Sequence, residues 1–111
     1  MQFVKAKTKF VRISPRKARL AAGLIRKRPV DSAMLQLKYS PLKGSRLLAK
    51  TLKSAIANAQ SRFDLDTDKL LVEEVRVDAG PILKRSKSKN KGGRVPINKR
   101  TSHFTIVLSA Q

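Results

Sequence analysis

Residues 70–109 read LLVEEVRVDA GPILKRSKSK NKGGRVPINK RTSHFTIVLS, two apolar stretches separated by a long basic one. Apolar and polar residues alternate over about 70–78 and again over about 102–109, which predicts two β-strands. The segment between them, about 80–101, has glycines near its middle and contains no acidic residue. We therefore predict one very long β-hairpin whose base belongs to a sheet and whose tip lies far from it.

The register of this hairpin is predicted from its flanking strands. Pairing Val77 with Ile106 places the centre of the turn between Lys91 and Gly92, where turn-forming residues stand. At roughly 3.3 Å per residue, arms of about eleven residues reach on the order of 35 Å. Eight Lys or Arg and no acid occur over residues 84–100, so the arms repel each other and need an anionic partner. A flexible basic tail is the alternative, but it explains neither the central glycines nor the return into a strand.

The chain as a whole is strongly basic, with 26 Lys and Arg against 7 Asp and Glu and a net charge of +19. The charge is segregated, because residues 1–30 and 79–111 contain no acid whereas residues 31–78 are nearly neutral. Such like charge must be offset by a polyanion, either nucleic acid, which we favour, or an anionic membrane. We expect the two basic ends to approach that polyanion while the middle builds the globule.

Length and composition exclude several classes of protein. The length suits a single domain, 1–111, with a globule of about 1–79 and 102–111 and an extended hairpin of about 80–101. The absence of cysteine excludes disulfides and thiolate zinc sites. No run of 18 apolar residues and no signal-peptide core occur, so we expect no membrane partner. The expected location is cytoplasmic, with an organelle matrix as the alternative.

Ahead of the hairpin, the sequence predicts one strand and three helices. Residues 3–11 alternate, with Val4, Ala6, Thr8 and Phe10 on one side and lysines on the other. Capping signals predict helices from Ser14-Pro15 to about Lys27, from Ser32 to Tyr39 after Asp31, and over about 41–62 after Ser40-Pro41. The predicted fold is α+β, with three helices packed on a small three-stranded antiparallel sheet and a very long protruding β-hairpin.

The first helix is predicted to present a basic face. Helical spacing would put four arginines within about 80° of arc, and these are Arg12, Arg16, Arg19 and Arg26. Gly23 falls in the same arc, where a missing side chain admits a ribose-phosphate backbone. The opposite side is expected to hold Leu20, Ala21, Leu24 and Ile25. Because the arginine fork bonds phosphate oxygens in pairs, this face is a candidate RNA-binding surface, the alternative being a solvated charged face.

The longest helix shows a weaker version of the same pattern. Its basic residues are Lys43, Arg46, Lys50 and Lys53, and its predicted buried stripe is Leu48, Leu52, Ala55, Ile56 and Ala59. Lysine commonly decorates exposed helices, so simple solvation is a stronger alternative here. Asn58, among alanines, is expected to bond either backbone or RNA.

The sequence gives no support for catalysis. His103, the one histidine, lies in a predicted strand with no nearby acid and is interpreted as a hydrogen-bonding or RNA-contacting residue. Asp64, Asp66 and Asp68 lack the glycine and the twelfth-position glutamate of a calcium loop. We therefore expect no enzymatic activity, no cofactor and no metal site.

Four motifs in order carry a family resemblance: ISPRKARL at 13–20, SAIANA at 54–59, VDAGP at 77–81 and KRTSH at 99–103. Over nearly its whole length the chain resembles the family of the universal large-subunit ribosomal protein number twenty-two, in its bacterial-type form. The resemblance implies a structural constituent of the large ribosomal subunit that binds large-subunit rRNA and neighbours other large-subunit ribosomal proteins. It also implies that the hairpin tip lines the nascent-peptide exit tunnel.

The pattern of charge and the resemblance together predict the site residues. The predicted rRNA-binding residues are Arg12, Arg16, Lys17, Arg19, Arg26, Lys43, Arg46, Lys50, Lys84, Arg85, Lys87, Lys99, Arg100 and His103. The tip that the resemblance implies to line the tunnel, next to the nascent peptide, is Lys89, Asn90, Lys91, Gly92, Gly93 and Arg94. The family often has a Pro-Arg-Ala run where this chain has residues 88–90, and Gly93 replaces a residue that is usually basic.

Two alternatives lie outside the ribosome. One is an accessory nucleoid or RNA-chaperone module, for which a long unsupported hairpin has little use. The other is an RNA-processing enzyme that uses His103 with a lysine, against which stands the lack of a second acid–base group or a metal set.

Overall fold

The computed structural model describes residues 2–88 and 94–110, with the backbone alone for residues 2, 85–88 and 94–98. Its helices are α1 (Pro15–Ala22), α2 (Val30–Tyr39) and α3 (Lys43–Phe63), and a 3-10 turn spans Thr67–Lys69. Its strands are β1 (Gln2–Val11), β2 (Leu70–Ala79), β3 (Leu83–Ser88), β4 (Arg94–Lys99) and β5 (Ser102–Ala110).

The globule is an antiparallel sheet in the order β1-β5-β2 with three helices packed on one face, which confirms the predicted α+β fold. Central strand β5 buries its even-numbered apolar residues beneath the helices, as period-two alternation requires. The predicted strand bases Val75, Val77, Ile106 and Leu108 are all buried. Phe104 is the largest fully buried side chain, so the core is mainly aliphatic around one ring.

The predicted register between the last two sheet strands is wrong by two residues. Val77 pairs with Phe104, and Ile106 pairs with Val75. The prediction assumed one uninterrupted ladder, but β2 and β5 separate after the Ala79–Ser102 pair, with three residues intervening on one arm and two on the other. The turn-forming residues at the hairpin tip, far from the sheet, therefore did not determine how β2 pairs with β5.

The hairpin continues beyond this interruption as a separate two-stranded sheet. Leu83 pairs with Lys99 and Ser88 with Arg94. The midpoint of these pairs lies half a residue earlier in the sequence than the midpoint that was predicted. The molecule measures 61 × 25 × 17 Å, and its radius of gyration of 16.9 Å exceeds the roughly 13 Å of a compact chain near this length. The predicted turn, residues 89–93, lies outside the described residues.

Helix α1 begins as predicted but ends five residues early. Ser14 is its N-cap, with the side-chain oxygen accepting a hydrogen bond from Lys17 N at 3.4 Å. The helix stops at Ala22 because the following chain turns to meet β2, where Lys27 N donates to Val72 O and Val72 N donates to Arg28 O, both at 2.9 Å. Tertiary pairing thus outweighs the helical propensity of residues 23–27.

This early end changes which side chains α1 buries. Its buried residues are Ala18, Ala21 and Ala22, so the helix packs closely through small side chains. Leu20, predicted to be buried, is 63% exposed. Arg12 precedes the helix and Arg26 follows it, so the predicted single arc of four arginines is wrong.

The other two helices differ from prediction at their starts. Helix α2 begins at Val30, with Asp31 inside its first turn rather than at its cap. Helix α3 begins at Lys43, because Ser40 ends α2 in an extended conformation and its Oγ instead accepts from Leu42 N at 3.3 Å. The predicted stripe is buried at Leu48, Leu52, Ala55 and Ala59, whereas Ile56 is half-buried.

Strand β1 departs from alternation near its end. Val4 and Ala6 are buried as predicted, but Phe10 is 61% exposed. Its φ of 59° accompanies a register shift between Thr8 and Val11, and this bulge turns the side chain out of the core. Asn58 of α3 donates to Lys5 O at 3.4 Å, so the amide of Asn58 bonds backbone.

Candidate nucleic-acid interface

Five of the cations predicted to bind RNA meet where α1, α3 and the hairpin begin. They line an open cleft of about 640 Å³, named here the root cleft because it lies at the root of the hairpin. Its lining residues are Arg12, Ile13, Ser14, Lys17, Leu20, Leu42, Lys43, Gly44, Lys99 and Arg100. Three stretches distant in sequence therefore supply one surface, and five of its ten residues are Lys or Arg.

The charges of the root cleft are not balanced within the part of the chain that is described. None of its described lining residues is acidic. The ion pairs between described residues lie elsewhere, Lys27 with Glu73 at 2.7 Å and Arg76 with Glu74 at 2.9 Å. Concentrated positive charge without acidic partners raises the local concentration of anions and favours an anionic ligand.

Glu73 illustrates how the carboxylates of β2 are used inside the globule. Its Oε1 accepts a hydrogen bond from Lys27 Nζ at 2.7 Å, and its Oε2 accepts one from Ser109 Oγ at 3.1 Å. The bond from Lys27, then the bond from Ser109, and the positive charge of Lys27 lower the pKa of the Glu73 carboxyl below its ordinary 4.5. This carboxylate therefore holds the β2 edge to the chain after α1 and is not available to the cleft.

Close packing of the start of α3 against α1 builds one wall of the root cleft. A Cβ on Gly44 would lie 3.3 Å from both Ala18 Cα and Ala21 Cβ, so only glycine lets α3 begin this near to α1 without displacement. Beside it, Lys43 Nζ donates to Arg12 O at 3.3 Å and joins the start of α3 to the chain ahead of α1.

Hydrogen bonds at the base of the hairpin fix the other wall. Gly80 N donates to Thr101 O at 2.9 Å, and Thr101 Oγ1 donates to Pro81 O at 2.7 Å. Ser102 Oγ, fully buried, donates to Ile13 O at 2.7 Å and ties the start of β5 to the chain that enters α1. The two cations that immediately precede Thr101 are thereby held beside α1.

His103 is used within the fold. Its Nδ1 accepts a hydrogen bond from Phe10 N at 3.1 Å, and the two rings meet edge to face with centroids 5.0 Å apart. Since Nδ1 accepts, the proton of the neutral ring resides on Nε2, which is the remaining donor. The structure supports the hydrogen-bonding interpretation of this histidine, and its RNA contact stays a prediction.

Two of the predicted RNA-binding arginines stabilise the sheet edge. Arg19 Nη2 donates to Val77 O at 3.0 Å, and Arg26 Nη2 donates to Val75 O at 2.9 Å. Strand β2 is an edge strand, and these guanidinium groups satisfy carbonyls that would otherwise face solvent or another strand. A structural role is therefore present in both residues, and any RNA contact would be made by their remaining N–H groups.

A second concave surface, named here the α2–α3 groove, adjoins the root cleft and has a volume of about 650 Å³. Its lining residues are Met34, Leu35, Leu37, Lys38, Ser40, Pro41, Leu42, Lys43, Arg46, Ala49 and Lys53. It shares Leu42 and Lys43 with the root cleft, so cations follow one another from the hairpin root along α3.

The other predicted site residues lie outside both concave surfaces. Arg16 and Lys50 are exposed on α1 and α3, and Lys84 is exposed at the start of β3. Arg85, Lys87 and Arg94 are placed by backbone only, and Lys89 to Gly93 lie outside the described residues.

Sequence reasoning missed the apolar part of the root cleft. Leu20 was placed on the side of the first helix opposite the arginines, and Leu42 fell within the predicted range of the longest helix, yet both line the cleft. The alanines at 18, 21 and 22 could have predicted this position of Leu20. Together with Ile25 they form a buried face, and Leu20 lies outside that face.

Among the residues described, no helix has both the length and the apolar character needed to cross a bilayer.

Comparison with known proteins identifies the family of this chain. The family model described as ribosomal protein L22p/L17e matches residues 6–109. A protein of Protochlamydia amoebophila named large ribosomal subunit protein uL22 is 63% identical over 109 residues, 98% of each chain. Proteins of the same name from Chlamydia trachomatis serovar L2 and Chlamydia abortus are 56% and 55% identical over 104 residues, 94% of each chain. The chain therefore belongs to the L22p/L17e family of ribosomal proteins, structural components of the large subunit that are not enzymes.

Proposed function

We propose that this chain holds large-subunit rRNA in the root cleft, as a structural constituent of the large ribosomal subunit. Binding of rRNA is general for the family, and the expected partners are rRNA and other ribosomal proteins. The observation that carries the choice of surface is the convergence of Arg12, Lys17, Lys43, Lys99 and Arg100 on one cleft with no acidic residue among its described lining. The adjoining α2–α3 groove, with Arg46, extends this basic surface.

The chemistry of the cleft suits a phosphodiester backbone. Arginine forks bond two phosphate oxygens at once, and lysines act as mobile point charges around them. Because the cleft is assembled from three separate stretches, the backbone positions that carry its cations are fixed relative to one another by α1–α3 packing and by the hydrogen bonds of Thr101 and Ser102. Cations on such a framework lose less freedom on binding than cations on a flexible tail.

Salt dependence tests this proposal. If the five cleft cations each neutralise one phosphate, the logarithm of the rRNA binding constant should fall with that of salt concentration with a slope of about −3.5 to −4.5 from the cleft alone. Lys17→Gln and Arg100→Gln should each reduce the slope by about 0.7–0.9. An affinity that does not depend on salt, or a slope unchanged in both variants, would remove the cleft from the interface.

We further propose that the hairpin lines the nascent-peptide exit tunnel and neighbours the nascent peptide. Support comes from the β3–β4 ladder, which stands apart from the three-stranded sheet, and from the excess of Lys and Arg along it. A paired, basic extension is suited to an environment walled by RNA, where phosphates offset its charge along both arms. The family resemblance supplies the tunnel as that environment.

A deletion tests the hairpin separately. Removal of residues 88–95 with rejoined arms should leave folding and subunit incorporation intact, because the core residues lie in the globule. The passage of nascent chains, or the binding of small molecules that lodge in the tunnel, should change. Loss of the folded globule in the deletion variant would contradict a protruding hairpin.

The setting that follows is the bacterial ribosome, which is cytoplasmic. The relatives named above are proteins of bacteria, and they do not support the alternative location in an organelle matrix.

A further inference from the structure

We propose that the root cleft receives an unpaired nucleotide, its base lying on Leu20 and Leu42 and its flanking phosphates on the surrounding cations. This inference rests on the proposed function and deepens it, since it specifies single-stranded rather than duplex RNA as the ligand of the cleft. It starts from an apolar surface that phosphate binding alone does not use.

The two leucines are exposed where a soluble surface would be polar. Leu20 is 63% exposed and Leu42 is 38% exposed, and both line the root cleft. Neither leucine contributes much to the core, because α1 packs through its buried alanines and α3 packs through Leu48 and Leu52. An apolar surface rimmed by polar residues is one of the features of ligand-binding grooves, and here two leucines and five cations line the same cleft.

The cleft thus combines two exposed leucines with five cations. Arg12 and Lys17 lie on the α1 side, Lys43 on the α3 side, and Lys99 and Arg100 on the hairpin side. A ligand that matches must combine an apolar part with flanking negative charge. The cleft volume of about 640 Å³ lies within the range of roughly 300–1,000 Å³ typical of pockets for small organic groups.

A nucleotide of single-stranded RNA has this composition, whereas a duplex does not present it. In an A-form helix the bases are stacked, so a protein meets phosphates, riboses and base edges. A base in a loop or bulge is free to lie with its face on apolar side chains while the adjoining phosphates remain outside. An acidic peptide also combines charge with apolar groups, but the cations continue from this cleft into the α2–α3 groove, which matches a strand with one charge per nucleotide.

The first experiment compares RNA ligands on the full chain. Binding of a fluorescently labelled single-stranded RNA of ten nucleotides is measured by anisotropy at fixed salt. The ligands compared with it are a duplex of the same sequence and the same single strand with three central abasic sites. We expect the intact single strand to bind about tenfold more tightly than the abasic strand. The reason is that burying a base against the two leucine side chains should change log Kd by about one unit. Equal affinity of the intact and abasic strands would overturn the inference.

The second experiment removes one of the two exposed leucines. Leu20→Ala should weaken binding of the intact strand by about threefold, since Leu42 remains, and leave binding of the abasic strand unchanged. Phe3→Ala is the matched control, because Phe3 is 56% exposed on β1 and lines neither concave surface. Since Leu20 is exposed, the variant should fold, and thermal unfolding by circular dichroism checks this.

The outcomes separate this inference from the proposed function. If Arg100→Gln weakens RNA binding but Leu20→Ala does not, the cleft binds phosphate only and the nucleotide inference is wrong while the proposed function stands. If neither substitution matters, the proposed rRNA surface itself is wrong. If a decapeptide of alternating Glu and Leu competes more strongly than the RNA and depends on Leu20, the ligand is an acidic protein segment and the inference is overturned.

Discussion

Arg19 and Arg26 should stabilise the free protein in the absence of any RNA. Each donates one hydrogen bond, of 3.0 and 2.9 Å, to a carbonyl of edge strand β2. Replacement by methionine keeps an unbranched apolar stem over the sheet edge and removes only the guanidinium. Both arginines are exposed, so each bond should contribute less than the roughly 1.5–3 kcal/mol of a bond from a charged donor, and about 1 kcal/mol is expected.

The double variant Arg19→Met/Arg26→Met should therefore lose about 2 kcal/mol of unfolding free energy, since carbonyls two residues apart along β2 accept separate bonds. For a chain near 100 residues this corresponds to a fall in Tm of roughly 8–16 °C. Urea unfolding followed by circular dichroism measures it directly. The control is Arg16→Met, which removes another exposed arginine of α1 and should cost less than about 0.5 kcal/mol.

Two results would refute this reasoning. If Arg16→Met and Arg19→Met cost the same, the loss reflects general charge and not the bonds to β2. If the double variant unfolds like the parent but binds RNA more weakly, both arginines act on RNA alone, as the sequence pattern suggested.

Three further predictions concern the core, the hairpin root and pH. Leu52→Ala, which removes a fully buried side chain of α3, should lower the free energy of unfolding in urea by about 2–5 kcal/mol. The exposed control Lys53→Ala should lower it by less than about 0.5 kcal/mol, and equal losses would mean that the wrong face of the helix was taken as buried. Gly80→Ala would place Cβ 2.5 Å from Thr101 Oγ1 and should lower Tm measurably, whereas an unchanged Tm would show that the root is not tightly packed. Because the folded pKa of Glu73 is depressed, its contribution to stability is present above the ordinary value of 4.5 and is lost as pH falls through the lowered folded value. Glu73→Gln should thus be less stable than the parent at neutral pH and approach it in acid, and a stability difference that does not change with pH would contradict this.

The sequence predicted the globule well where local chemistry and burial act together. Ser14 caps α1 as expected, and the alternation around Val75, Val77 and Ile106 identified buried strand positions. Such signals are local, and the core pattern needs no knowledge of which strand pairs with which.

Predictions failed where contacts between distant parts of the chain determine the local structure. Residues 23–27 suit a helix, but pairing of Lys27 and Arg28 with Val72 ends it. Phe10 fits the apolar face of β1, but a bulge with positive φ turns it out. Of the two-residue error at Val77, one residue arises from a break in the ladder that the strand sequences do not reveal, and the other from the register of the β3–β4 hairpin.

For the candidate site, the sequence identified the cations but not their grouping. Residues at 12, 17, 43, 99 and 100 were predicted as three separate features, and only the packing of α1 against α3 beside the hairpin root makes them one cleft. The arc of arginines on α1 was wrong because it required a helix four turns long, and α1 has eight residues.

Incorporation of charge-reversed variants into large ribosomal subunits tests the central claim most directly. Lys17→Glu/Arg100→Glu changes two cleft cations, and Arg62→Glu/Lys69→Glu changes two cations that line neither concave surface; each pair lowers the net charge by the same four units, from +19 to +15. Tagged variants compete with the parent chain during assembly, and their share in sedimented large subunits is measured. The root-cleft variant should be depleted at least tenfold relative to the control pair, since removing a charge-assisted hydrogen bond to phosphate costs about 1.5 kcal/mol or more. Equal incorporation of the two variants would show that overall charge, and not the root cleft, binds the rRNA.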